Sequence, residues 1–393
     1  MPGFDPTPRE WERLPITIIR HQNRAWCCDP SVLHITAKAM TLTSGRFRAA
    51  TILSFGAVLI NTMPVWIAEI ARGHSLSGTT AGLLGSIVLL MAALSCAGAT
   101  TVAHAAALVT AAAVIVPLCL VFLAVPVASY AIALLIACVF LGGSLGVLTA
   151  HALRDANHDA ELQKTISGAL VIGLLTALLI YLVLPLSGVN LLWLLAVLSL
   201  SLLALASPKR LLHETSEASG VALWSGFPFL QFPFFVMMGA YWTYIELFAS
   251  SITGAGDLSY WLLGSLLTGA AGSFLAGKTG TRSENIVRAS AFLCAAISAA
   301  ISYIAPSFIL LGISVLANGF FLFLYFPLYL AERGNGDRRA DVSKRMAAYL
   351  LGFASGGAVG AGVVHLAGFS GLAIAIAATG LIGLDRSVIR FRS

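Results

Sequence analysis

Residues 105–150 read AAALVTAAAVIVPLCLVFLAVPVASYAIALLIACVFLGGSLGVLTA. No Asp, Glu, Lys or Arg interrupts the stretch, and its one pause is the handful of residues around Val125 to Val127. A helix needs roughly 20 apolar residues to cross a hydrocarbon core about 30 Å thick. Inside lipid, every backbone N–H and C=O must be satisfied within the protein, which a helix does alone. Two such lengths joined so tightly predict an antiparallel pair of membrane-spanning helices, at 104–125 and 128–150.

The same pattern continues on both sides. Apolar runs at 49–71, 79–99, 166–186 and 189–207 complete a first set of six spans. A second set follows at 224–250, 259–277, 286–304, 307–331, 346–367 and 369–385, again with almost no connection at Ala305 to Pro306. The fold expected is therefore an all-α polytopic membrane protein of twelve transmembrane helices in two six-helix bundles. Composition agrees: 58% of the 393 residues are hydrophobic and 10% charged, against about 25% charged in soluble domains. Mean hydropathy is +0.90, so most side chains face something other than water. The 37 glycines fit helices that approach closely through small residues.

Charge placement tests the count. With the first span starting inside, 22 of the 23 Lys and Arg fall on the inner side and only Arg72 on the outer. Cytoplasmic loops carry the excess of basic residues in membrane proteins. One span more or fewer in the middle would scramble that partition. Both termini are thus expected in the cytoplasm of a multi-pass inner-membrane protein. The net charge of +6 comes from residues at span ends, so no nucleic-acid partner is expected.

Residues 1–48 are polar and hold seven of the basic residues. They lack the short apolar core and cleavage site of a signal peptide and are expected to form a poorly ordered cytoplasmic extension. Met40 stands just ahead of the first span, so a dispensable extension and a regulatory tail both stay open. Residues 49–207 form the first half, 208–223 a cytoplasmic linker of mixed charge, 224–385 the second half and 386–393 a tail. Of six cysteines, Cys96, Cys119, Cys138 and Cys294 lie in apolar runs, where a thiol behaves as a small hydrophobe. Cys27 and Cys28 are adjacent, with no metal-ligand spacing. No cofactor or metal is expected.

The halves repeat one another. Leu83-Leu84-Gly85-Ser86 recurs as Leu262-Leu263-Gly264-Ser265, an offset of 179. The same offset brings Ala97-Gly98 to Ala276-Gly277, Thr100 to Thr279, Arg154 to Arg333 and Gly173 to Gly352. Internal repeats of this kind are a habit of secondary transporters.

On these features the chain resembles the major facilitator superfamily, over residues 49–390. That family has twelve helices, two parallel six-helix halves, internal termini and a motif of roughly G-x-L-A-D-R-x-G-R-R after its second helix. The loop around Gly98 to His104 has no Lys or Arg. Its counterpart keeps Leu275, Ala276, Lys278, Gly280 and Arg282, with Gly277 where the acid belongs. The segment from Val58 to Gly98 is loosely similar to drug and metabolite exporters of the superfamily. The resemblance implies a monomer whose halves rock about a central cavity lined by the first, fourth, seventh and tenth spans.

Ionisable groups inside a membrane are costly and mark function by default. Glu246, in Tyr241-Trp242-Thr243-Tyr244-Ile245-Glu246, is the one acid well within a span. It is either a proton-coupling group, able to take and release a proton near neutral pH, or an anchor reaching for headgroups. Glu69, after Trp66, offers the same choice at the outer end of the first span. Asn61, Asn318, Tyr241, Trp242, Tyr244 and Tyr325 are the candidate substrate contacts, since amides and aromatic rings can greet a ligand or fix helices. Arg154 and Arg333 are candidates for pinning inner ends of spans. Few basic residues are buried, which disfavours strongly anionic cargo. The function expected is secondary transport of a small uncharged, aromatic or cationic molecule, proton-coupled; the alternative is a membrane enzyme or a receptor.

Overall fold

The computed structural model describes residues 30–99, 105–125, 131–157, 162–205, 227–252, 258–280, 283–332 and 338–389. The chain divides into two compact units, Met1–Phe47 and Arg48–Ser393. In the first, the described residues are helical from Pro30, within the stretch expected to lack regular structure. The account below concerns the second. The expected linker at 208–223 lies outside the described residues, as do the last residues of the tail.

Among the described residues all twelve expected spans are helical, seven helices, or eight with the bent first one, being long and apolar enough to cross a membrane, and several are reshaped by particular residues. The first is broken: one helix ends at Asn61, the next runs Met63–Gly73, and the two meet at a bend of 59°. Pro64, in the first turn of the second arm, has no N–H to return to the carbonyl of Ile60, so the helix cannot pass straight through. The second to sixth spans are Gly78–Gly98, Ala105–Ala124, Ala131–Asn157, Leu162–Ser187 and Leu191–Leu205. The seventh begins at Phe232, later than expected, with Pro233 in its first turn, where a missing N–H costs nothing. The eighth, ninth and tenth are Ser259–Lys278, Glu284–Ser302 and Phe308–Ala331. The last helix, Arg338–Ile389, holds two spans that turn at Gly368, whose φ of 67° suits a residue without Cβ.

The repeat seen in sequence is a repeat in packing. Gly173 of the fifth span meets Ala57 of the first, and Gly352 of the eleventh meets Val236 of the seventh. Both the glycines and their neighbours are 179 residues apart. Elsewhere, Gly142 and Gly146 of the fourth span face backbone of the second, as Gly319 of the tenth faces backbone of the eighth. A Cβ at any of these would sit within 3 Å of another helix, so small residues set the helix spacing. The halves themselves join where the second span packs on the eleventh and the fifth on the eighth.

Candidate functional site

A cavity opens between the halves, enclosing about 860 Å³ of empty space with its mouth included. Its walls come from the first, second, fourth and fifth spans on one side and the tenth and eleventh on the other. They are apolar apart from Asn61, Trp66, Thr149 and Tyr349, and no charged residue lines them.

At the end that gathers the basic residues, hydrogen bonds join the two halves. Gln163 Nε2 in the fifth span donates to the carbonyls of Ala276 and Thr279 at the C-terminus of the eighth, the latter at 3.2 Å. Cys96 Sγ donates to the Ser343 carbonyl, tying the second span to the eleventh. Ion pairs brace each half at the same end. Arg48 of the first span binds Asp155 of the fourth, with His151 Nε2 3.6 Å away. In the second half, Glu332 lies 3.3 Å from both Arg288 and Arg345. At the opposite end, the outer arm of the first span leans on spans of its own half, while Thr243 and Glu246 of the seventh are exposed. Hydrogen bonds and ion pairs thus tie the two halves, and brace each of them, at the basic end.

The sequence candidates fall into three groups. Asn61 lines the cavity, its Nδ2 donating to the Ala57 carbonyl at 2.8 Å. Glu246 stands exposed within electrostatic range of Tyr181, whose hydroxyl donates to the Asn61 carbonyl at 2.9 Å. The other aromatic and amide candidates are engaged inside the second half and are absent from the cavity wall. Tyr241 is fully buried against Ser302 and Tyr303. Trp242 packs edge-on to Tyr241, and the Tyr244 hydroxyl donates to the Gly357 carbonyl. Asn318 donates to the Ala295 carbonyl, and Tyr325 sits among Phe234, Phe235 and Phe292.

Glu69 accepts from the backbone N–H groups of Leu191 and Leu192, at 2.9 and 3.2 Å. It caps the start of the sixth span, where the unpaired N–H groups and the positive end of the helix dipole favour a carboxylate. Lys278 lies over the Phe274 ring at 4.2 Å, Gly280 is exposed and Arg154 is half-buried. Arg282 and Arg333 lie outside the described residues.

Three features were hidden in the sequence. Gln163 looks like any surface amide. Thr149 and Tyr349 are single residues in apolar runs. The tenth span was the readable case: Phe323, Phe326 and Leu330 face the cavity, while Asn318, Leu322, Tyr325 and Tyr329 are buried. Those are two helical stripes at spacings of three and four. Gly272–Thr279 also matches the phosphate-loop pattern G-x-x-x-x-G-K-T. Here Gly272–Lys278 is the end of the eighth helix, whose N–H groups are spent within the helix and cannot cradle phosphate.

The fold, two repeated six-helix halves with a cavity between them, is similar to that of solved major facilitator superfamily transporters over about nine-tenths of the chain. The human organic anion transporter MFSD10 (TETRAN) matches with a TM-score of 0.67 at 15% identity, covering 88% of this chain and 98% of that one. The proton:xylose symporter XylE, bound to 6-bromo-6-deoxy-D-glucose, gives 0.65 at 15% identity, over 90% and 96%. The E. coli fucose:proton symporter FucP gives 0.64 at 15%, over 88% and 98%. No family model matches the sequence, and no curated protein sequence matches it.

Proposed function

We propose that this chain is a secondary active transporter of a small organic molecule, working by alternating access. The observation that carries the reading is the uncharged cavity between two repeated halves, which hydrogen bonds join at the basic end. Rocking the halves about such a site exposes it to each side in turn. The charge partition supports an inner-membrane orientation with the basic end in the cytoplasm. The chain would act as a monomer, with the small molecule, protons and the lipid bilayer as its partners.

Glu246 is the coupling group in this reading, as the one acid well within a span and one whose charge reaches Tyr181 of the other half. Export is the favoured direction. An apolar solute enters through lipid unaided and needs a carrier chiefly to be driven out.

Spin labels test the rocking without knowledge of the cargo. Leu108 and Ile286 are exposed near the basic ends of the third and ninth spans, and Phe122 and Ile304 near the other ends. Labelled as pairs in a cysteine-free background in liposomes, the 108–286 distance should lengthen as 122–304 shortens. Two distances that never change with pH or a proton gradient would sink alternating access. In the same assay Glu246→Gln should abolish the pH response while both states remain populated. A pH response that survives the substitution would assign coupling elsewhere.

A further inference from the structure

The polar groups of the cavity wall are few, Asn61, Trp66, Thr149 and Tyr349, and the broken turn of the first span gathers acceptors among them. Trp66 lines the wall, but its indole N–H is spent on the Leu59 carbonyl at 3.0 Å. Asn61 gives one N–H of its Nδ2 to the Ala57 carbonyl. A carbonyl can only accept, so that bond fixes which end of the amide carries nitrogen and leaves Oδ1 as an acceptor. Ile60 lines the same wall, and its carbonyl receives nothing from Pro64, which has no N–H. The broken turn of the first span therefore presents acceptors, set in a wall without charge.

We propose that the cavity binds an uncharged, largely apolar molecule that carries a hydrogen-bond donor, and that the donor docks on Asn61 Oδ1 and the Ile60 carbonyl. This rests on the transporter reading of the same cavity and names its cargo class. Two other classes fit poorly. A sugar would bury several hydroxyls against aliphatic and aromatic carbon, and each unpaired hydroxyl costs binding. A carboxylate would carry its charge into a largely apolar wall with no cation to offset it. The cavity thus differs in chemistry from what sugar or organic-anion cargo requires, although the fold is shared. The apolar wall supplies affinity through burial, and the broken turn supplies orientation.

The probe is N-phenyl-1-naphthylamine, neutral and apolar with one N–H, set against its N-methyl counterpart, which has no donor. Binding is read in nanodiscs as energy transfer from Trp66, with Trp66→Phe marking the signal that comes from the cavity. The expected result is roughly tenfold tighter binding of the N–H form, the scale of one hydrogen bond to a desolvated acceptor. Asn61→Leu should collapse that ratio toward one while the N-methyl compound still binds. Xylose and benzoate should not displace the probe. Equal affinity of the two amines for the wild-type protein would overturn the proposal, as would displacement by either competitor. Because the wild-type comparison needs no variant, a misfolded Asn61→Leu leaves the test intact. Rocking of the spin labels with equal amine affinities would refute the cargo class alone. A donor preference in a protein that never rocks would refute the transporter reading alone.

Discussion

Glu69 and Glu246 occupy outer parts of corresponding spans, yet their surroundings give them different work. Glu69 is held by two backbone N–H groups of a helix of only 15 residues. Asn190 also accepts from Leu192 N at 2.9 Å, so truncating Glu69 chiefly strands the Leu191 N–H. Glu69→Ala should cost about 1 kcal/mol, the usual loss of a helix N-terminal partner. Thermal unfolding in detergent should show a lowered midpoint, with the pH response of the spin-label distances unchanged. Glu246→Gln should do the reverse, since no hydrogen bond of the fold depends on it in this structure. At this scale the sequence showed which residues were unusual but not which way they point. Asn61 and Asn318 look alike in the chain; one lines the cavity and the other is buried against Ala295. An amide must find partners in either place, and only the facing helix decides whether the partner is backbone or cargo.

The seventh span packs closely on the eleventh, and glycines make it possible. A Cβ at Gly356 would lie 2.5 Å from the Ala240 backbone nitrogen and 2.6 Å from Gly239. Backbone cannot swing aside as a flexible side chain can. Gly356→Ala should therefore force the helices apart and cost about 1–3 kcal/mol, the range for overpacked sites. Gly362→Ala, with nothing within 4 Å, should leave the melting midpoint within error of the wild type. Equal effects from the two substitutions would mean that helix propensity, and not helix contact, is what these glycines govern. Span positions were legible because apolar length alone fixes them, and the glycine-rich eleventh span announced a close neighbour. The break of the first span was half legible. Pro64 predicts a disturbance, but the 59° bend also needs the Trp66 indole and the Tyr181 hydroxyl, which donate to the Leu59 and Asn61 carbonyls. Those partners lie on other turns or another helix, beyond what local sequence encodes.

The whole molecule is two copies of one bundle, and the offset of 179 residues that shows in Leu83–Ser86 also governs which helices touch. The seam between the copies was not legible, because it joins residues far apart in sequence through groups too ordinary to stand out. Gln163 is the clearest case. With the halves joined there, its amide donates to two carbonyls at the end of the eighth helix; that of Ala276 also accepts from the Thr279 N–H at 3.1 Å, while that of Thr279 lies past the helix end. Opening the basic end would hand the Thr279 carbonyl to water. Gln163→Leu keeps the bulk but removes the donor, so that carbonyl is stranded only while the halves are joined at this end. The closed state should lose about 1 kcal/mol relative to the open one, the net value of a typical hydrogen bond. That is roughly a fivefold change in the ratio of the two states. The 108–286 spin-label distribution should move toward its long component without loss of folded protein, and the 122–304 distribution should shorten in step. A distribution identical to the wild type would show that the seam is held by packing of the second span on the eleventh and the fifth on the eighth, with Gln163 a bystander.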